Sequence, residues 1–390
     1  MAGIYLHIPF CKQACHYCNF HFSTSMKLQN DFLAALLKEI DIRRDYIGGE
    51  KVKTIYFGGG TPSLLNGDQL RRIMRALYSS FDIDASAEIT FEANPDDIDE
   101  LRLITWKQNG INRLSIGIQS FFNEDLVWMN RAHNDAQALG CIKLAQNEGF
   151  DNMSIDLIYG TPTLTDEHWM QNMQTAVSLN VPHLSCYALT VEPGTALDSM
   201  TSKKKVLPVN SDDQARQFMM MTEFLVSKGY EHYEISNFSL PGKRSRHNRS
   251  YWNGAKYSGL GPSAHSFNGA SRQWNVANNM LYIKSLENNQ VPFEHELLSE
   301  NQRFNEYVMT SLRTKEGTDI ELSRQKFGNR SAENLIKNSS KFIERGWMKN
   351  ENERLVLTKE GKLFADGIAA ELFEVNKTVI LPKAGSTENP

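Results

Sequence analysis

The feature that most constrains the fold is an alternation. Over the first two thirds of the chain, short apolar runs of strand character are each followed by a longer stretch with helical periodicity. The strand-like runs are residues 3–8, 53–57, 87–92, 113–119, 152–159 and 183–189. The helical stretches are 28–44, 67–78, 98–108, 133–148, 167–179 and 212–228, the first carrying Phe32, Leu33, Leu36, Leu37 and Ile40 on one face. Regular β-then-α order implies parallel strands joined by helical crossovers, as an open sheet or a full or partial barrel.

The pattern changes near Tyr230. A short β-like run, 230–238, leads into a polar, Gly-rich segment reaching about residue 275, and helical character returns from Asn301. A helix at 331–345, two short strands within 347–357 around a turn at 350–352, and a helix at 359–373 resemble a winged-helix unit. Residues 377–390 read as a loose tail. The expected organisation is a core over 1–230, a connecting segment over 231–300, a C-terminal winged-helix-like α+β domain over 301–376, and the tail.

Charge excludes some classes. With 42 basic and 46 acidic residues the net charge is −4, which argues against a chain built to grip nucleic acid. Lys203, Lys204 and Lys205 read as a solvated loop, and the winged-helix-like end as a lid or docking module. No apolar run is long enough to span a membrane, and no basic segment followed by an apolar one opens the chain. The expected compartment is the cytoplasm. Five cysteines, three of them crowded together, make a poor disulfide framework and a better metal or redox site.

Those three, Cys11, Cys15 and Cys18, sit in the loop after the first strand. Three thiolates so close converge only around a shared object, and soft thiolates suit zinc or iron–sulfur iron. Zinc wants a fourth ligand, for which His16 and His21 are at hand. A four-iron cubane on three cysteines leaves one iron open for a chelating ligand. Cys141, in a helix, and Cys186, in a strand, read as buried structural thiols.

The surroundings discriminate between metals. Gly58-Gly59-Gly60-Thr61-Pro62 follows the second strand, where glycines let the backbone approach a polar ligand. Glu92 ends the third strand, Gln119 the fourth, Asp156 lies in the fifth, and Arg131 follows the fourth. In parallel βα architectures ligands bind at this strand end. The set suits a zwitterionic amino acid joined to a ribose: Glu92 for the ammonium, Arg131 for the carboxylate, Gln119 and Asp156 for the ribose hydroxyls.

Tyr5-Leu6-His7-Ile8-Pro9-Phe10-Cys11, the CxxxCxxC spacing and Gly58-Gly59-Gly60-Thr61-Pro62 resemble the radical S-adenosylmethionine (SAM) superfamily, and within it the oxygen-independent coproporphyrinogen III oxidase-like family. The resemblance implies an α/β fold with a partial (β/α)6 radical SAM barrel and the C-terminal winged-helix-like domain. It implies a [4Fe–4S] cluster on Cys11, Cys15 and Cys18, with SAM bound by Tyr5, Gly59, Gly60, Thr61, Glu92, Gln119, Arg131 and Asp156. Tyr17 and Ala188 fall near the adenine. Two departures stand out. The oxidases carry a further cysteine where this chain has Phe20, and a longer segment before the cluster loop, where this chain has ten residues. Both departures match the HemW-type branch of haem chaperones.

That branch carries a His-Asn-x-x-Tyr-Trp motif, present here as His247-Asn248-Arg249-Ser250-Tyr251-Trp252. The resemblance implies haem as ligand, with His247 as axial ligand, Tyr251 and Trp252 against the macrocycle, and Arg244, Arg246 and Arg249 near propionates. His265, in the Gly-rich turn 259–267, is a second candidate ligand. The partner is then an acceptor haemoprotein, and a homodimer is left open. The alternative is a radical enzyme that decarboxylates coproporphyrinogen III or a related tetrapyrrole.

Overall fold

Each apolar run of the first half becomes a parallel strand, followed by the helix that carries the chain back. The computed structural model describes residues 2–374, so the tail expected at 377–390 lies outside the described residues. It runs β1 (Ala2–Ile8), α1 (Gln29–Ile42), β2 (Val52–Gly59), α2 (Gly67–Ser80), β3 (Ile83–Ala93), α3 (Glu100–Gln108), β4 (Arg113–Gln119), α4 (Asn123–Trp128), α5 (Asp135–Asn147), β5 (Met153–Tyr159), α6 (Asp166–Ser178), β6 (His183–Ala188), α7 (Ala196–Ser202) and α8 (Ser211–Ser227). β1 to β6 pair in chain order, all parallel. Asparagine caps with reciprocal glutamines start α2 and α5, at Asn66/Gln69 and Asn134/Gln137.

The two faces of these strands differ in chemistry. Ile4, Leu6, Ile55, Phe57, Ile89, Phe91, Leu114, Ile116, Ile155 and Leu157 are buried on one face. Helix side chains complete it: Phe91 packs on Phe57 and on Trp106 of α3, with ring centroids 5.5 and 5.1 Å apart. Each such side chain contributes about 1.5–3 kcal/mol by leaving water. The alternate residues are polar. In register, Tyr5 faces Tyr56, Thr54 faces Glu88, Glu92 faces Ser115, and Asp156 faces Ser185. Polar groups withdrawn from water cost free energy unless partnered, so this face is built for a site more than for stability.

The second half departs from the expected connecting segment. It forms β7 (Glu231–Glu234), β8 (Asn237–Ser239), α9 (Arg246–Trp252), β9 (Lys256–Leu260), β10 (His265–Phe267), β11 (Ser271–Asn275), α10 (Asn279–Glu287) and β12 (Phe293–Leu297). The single run expected at 230–238 is a tight pair, β7 antiparallel to β8. β9 joins β1 as a further parallel strand, and β10 to β12 extend the sheet antiparallel. The sheet has 12 strands in the order β12-β11-β10-β9-β1-β2-β3-β4-β5-β6-β8-β7. Lys-Tyr-Ser-Gly-Leu in β9 has no apolar alternation; pairing with β1 makes it a strand. Buried Glu39 of α1 ties this region down. Its Oε1 accepts from Arg43 (2.9 Å) and Asn275 (2.7 Å), and its Oε2 from the Gly261 amide (2.7 Å) and Tyr282 hydroxyl (2.6 Å).

The chain divides into two compact units. Among the described residues, one holds 2–297 with Arg313–Glu316, and the other holds Leu298–Leu312 and 317–374. The second comprises α11 (Glu300–Leu312), β13 (Thr318–Asp319), α12 (Ile320–Phe327), α13 (Asn329–Glu344), β14 (Met348–Glu351), β15 (Arg354–Leu357) and α14 (Ala365–Leu372). Its three strands order as β13-β15-β14, around Phe304, Val308, Leu335, Phe342, Leu355 and Ile368. The wing turns at Asn352 and Glu353, both with positive φ (52° and 59°), two residues beyond the expected start of the turn. Asn350 and Glu351 instead pair in the ladder, with Leu355 and Arg354, which leaves a two-residue loop of the kind that needs φ > 0. Among the described residues no helix is long and apolar enough to cross a membrane.

Candidate cofactor site

The loop between β1 and α1 is pinned at its base. Ser23 donates its amide to Pro9 (2.9 Å) and receives that of Cys11 (3.0 Å). Further out, the His16 amide donates to Met129 (3.1 Å) and the Leu197 amide to His16 (2.8 Å). Cys11, Cys15 and Cys18 therefore project from a held loop. Thr61 donates to the Cys11 sulfur (3.5 Å) and Arg131 Nη1 to the Cys15 sulfur (3.3 Å). Burial pushes the Cys11 thiol up to about 11 and raises Cys18. Among the described residues no three His, Cys, Asp or Glu side chains are gathered for a single metal ion. His16 and His21 are turned to structure: His16 Nδ1 bonds the Trp128 carbonyl (2.8 Å) and His21 Nε2 the Asn279 side chain (2.7 Å).

A cavity of about 440 Å³ opens behind these thiols, within the range of small-molecule sites. Its wall includes Cys11, Cys15, Tyr17, Cys18, Gly59, Gly60, Thr61, Glu92, Gln119, Arg131, Asp156 and Ala188. Tyr5 stands behind that wall, stacked on Tyr56 (6.2 Å) with its hydroxyl 3.3 Å from His7 Nδ1. The polar strand face also brings in Tyr56, Ser115, Ser185 and Tyr187, and α9 brings Asn248. Of these only Asn248, as a member of the motif at 247–252, is marked by the sequence. The readable signal was polar residues at every second position of apolar strands, as in Thr54/Tyr56/Gly58 and Ser115/Gly117/Gln119.

Backbone geometry explains the glycines. Gly59 has φ +105°, and a Cβ there meets the His7 ring at 2.7 Å. A Cβ on Gly60 meets Phe10 O at 2.6 Å and Ile8 O at 2.8 Å, where the Gly60 and Thr61 amides bond Ile8 O (2.9 Å) and Phe10 O (2.7 Å). Gly60→Ala therefore pushes on the cluster loop itself. We expect it to destabilise the protein by about 1–3 kcal/mol and to lower iron incorporation, read by urea unfolding and iron analysis; wild-type values for both refute this. Gln119 takes φ +67° at the end of β4, an uncommon conformation for a non-glycine residue and one that clusters at functional sites.

The charges are poised for a zwitterion. Burial, with a smaller push from Asp156, raises Glu92 to about 8, although its Oε1 accepts from Tyr56 (2.7 Å). Burial raises Asp156 to about 6. A cation beside either reverses that penalty. Arg131 Nη2 bonds Asn94 Oδ1 and Gly117 O, both 2.8 Å, while its buried Nε has no hydrogen-bond partner. That unpartnered donor fits a carboxylate arriving from the cavity.

The motif at 247–252 lies on α9. Its first amides, of Arg246 and His247, both donate to Glu88 Oε1 (2.9 and 3.1 Å). His247 is 1% exposed. Its Nδ1 bonds Thr54 Oγ1 (2.8 Å) and its Nε2 the Tyr251 hydroxyl (2.9 Å). Burial lowers its pKa to about 3, so the imidazole is neutral. The Arg313 guanidinium lies over the Trp252 ring, 5.6 Å from its centroid, and Trp252 Nε1 is buried without a partner. Arg244 pairs with Glu231 and Glu316 (2.9 and 2.6 Å), and Arg246 Nη1 donates to Ser86 O (2.7 Å). His265 is exposed and stacks on Trp274 (6.3 Å). Cys141 and Cys186 are buried.

Fold and site together define a radical SAM protein. The profile described as the radical SAM superfamily matches residues 5–176, and that of the HemN C-terminal domain matches 298–364. Membership of that superfamily implies a [4Fe–4S] cluster and SAM. The heme chaperone HemW of Bacillus subtilis is 34% identical over 94% of this chain and 98% of its own length. That of Escherichia coli is 38% identical over 67% of this chain and 69% of its own. Coproporphyrinogen III oxidase (HemN) from Escherichia coli, described as a radical SAM enzyme, superposes with a TM-score of 0.83 over 95% of this chain and 90% of its own, at 24% identity, and so shares the fold. The chain belongs to the HemW family.

Proposed function

We propose that this protein is a haem chaperone carrying a radical SAM core: it binds haem, hands it to an acceptor haemoprotein, and keeps a [4Fe–4S] cluster with exchangeable SAM. The observation that carries the reading is similarity to heme chaperones along almost the entire chain. Phe20 supports it. It is 66% exposed at the cavity wall, at the position where the resemblance expects the oxidases' further cysteine.

In this reading Cys11, Cys15 and Cys18 hold the cluster and leave one iron for SAM. Such a cluster supplies one-electron reduction of a sulfonium bound to it. The chain's own groups bind and orient. Glu92 takes the ammonium and Arg131 Nε the carboxylate. Gln119 and Asp156 hold the ribose, Tyr17 and Ala188 flank the adenine, and the Gly59-Gly60-Thr61 turn keeps the floor narrow. Tyr5 acts from behind, through its stack on Tyr56.

His247 supplies the haem ligand. Its neutral imidazole is the ligating form; because the ring is buried and held by Thr54 and Tyr251, ligation requires α9 to move and Tyr251 to give up Nε2. The test is hemin titration of the full-length protein followed by the Soret band. We expect saturable binding, weakened at least about tenfold in His247→Ala and strengthened in Tyr251→Phe, which frees Nε2. No saturable shift in the wild type refutes the haem reading. Unchanged affinity in His247→Ala refutes the ligand assignment alone.

A further inference from the structure

α9 does more than present a histidine. Asn248 stands in the wall of the cavity, so the helix reaches the same chamber as the three thiols. Its neighbour His247 turns the other way, into the sheet. The ring stacks on Tyr56, with centroids 4.9 Å apart and planes 24° from parallel. Tyr56 in turn donates its hydroxyl to Glu92 Oε1 at 2.7 Å.

The chain of contacts is closed at each end. His247 cannot rotate freely, because Thr54 holds Nδ1 and Tyr251 holds Nε2. Tyr251 is braced edge-on by Tyr257, 4.7 Å away. A Cβ on Gly3 approaches Thr54 Oγ1 at 2.9 Å and the His247 ring at 3.5 Å, so β1 leaves this space by carrying no side chain there. Gly58 does the same for the next layer: a Cβ there lies 3.0 Å from Tyr56 and 3.1 Å from Glu92 Oε1. Glu92 is thus aimed by a stack of fixed rings. A carboxylate that must meet an ammonium gains affinity when its rotamer is set before the ligand arrives.

We propose that His247 is a positioning residue of the SAM pocket, which through its stack on Tyr56 fixes the Glu92 carboxylate for the ammonium of SAM. This rests on the reading of the cavity as the SAM site. The motif helix thereby serves the cofactor site as well as haem, and the two roles draw on one imidazole.

The experiment is calorimetric SAM binding to full-length protein with its cluster reconstituted anaerobically. The variants are His247→Ala, Tyr56→Phe and the double variant, with iron content measured for each. Tyr56→Phe keeps the ring and removes only the hydroxyl that Glu92 accepts. We expect each single variant to retain its iron and to bind SAM about tenfold more weakly, in line with the loss of an outer-shell partner. The double variant is expected to be no weaker than either single one, because both break the same path. The reduced cluster's electron paramagnetic resonance signal should respond to SAM at correspondingly higher concentrations. Wild-type affinity in either single variant overturns the proposal, as do strictly additive losses. If His247→Ala does not fold, His247→Gln, which keeps an amide within reach of Tyr251, takes its place in the cycle. Failure of the pocket reading looks different: the wild type, fully loaded with cluster, then shows no SAM binding.

Discussion

We expect alanine at Cys11, Cys15 or Cys18 to abolish the cluster, and Cys141→Ala and Cys186→Ala to retain it. With three protein thiolates for four irons, no ligand is spare. The neighbouring histidines are committed elsewhere, His16 to the Trp128 carbonyl and His21 to Asn279. Neither can step in without breaking a bond that holds the loop. The expected result is loss of the cluster's visible charge-transfer absorption and of its iron in each of the three variants after anaerobic reconstitution. Assembly should also favour high pH. Burial raises the Cys11 and Cys18 thiols, and the ligands must shed protons to bind iron. A single variant that keeps wild-type iron content removes that residue from the ligand set. Tetrahedral zinc in place of iron after growth with both metals returns the site to the zinc alternative.

The parts of this architecture visible in the sequence were those set by local periodicity. The six strands from β1 to β6 could be placed because each is an apolar run bounded by turns, and each helix between them has an apolar stripe. The thiols, Glu92, Gln119 and Asp156 could be placed because strand ends are where this architecture binds ligands. What escaped was set by long-range pairing. β9 is polar and Gly-containing, and becomes a strand only against β1. β10 to β12 follow from it. His247 was readable as a motif residue, yet its partners Thr54 and Tyr56 lie on β2, far away in sequence. Arg131 was readable as a carboxylate clamp, but not that Asn94 and Gly117 take both N–H groups of Nη2 and Cys15 one of Nη1, leaving Nε and one Nη1 hydrogen. Spacing rules carry no information on such contacts; only the register of the sheet does.

That register encloses histidines, and acid should expose the cost. His7, His133, His183 and His247 are each 4% exposed or less. Burial lowers His7 and His133 to about 4 and His247 to about 3, and takes His183 well below its ordinary value. For a base held neutral in the fold, the unfolded chain binds the proton first. Their stabilising contribution is therefore complete above about pH 6.5 and declines as pH falls toward the folded values. Between pH 7 and pH 5 each of His7, His133 and His247 costs about 2 kcal/mol, and His183 acts in the same direction. Glu92 and Asp156 oppose this, because acids with raised values bind protons more readily in the fold. Over the same range Glu92 returns about 2.5 kcal/mol and Asp156 about 1 kcal/mol, and two such acids against four histidines reduce the loss without cancelling it. The protein without cofactors should lose several kcal/mol between pH 7 and pH 5, a large share of a typical stability of about 5–15 kcal/mol. Urea midpoints at the two pH values measure it. The loss should steepen in Glu92→Gln/Asp156→Asn, where the opposing groups no longer titrate. Equal midpoints at both pH values would show that other groups compensate the buried imidazoles and would refute their part in acid destabilisation.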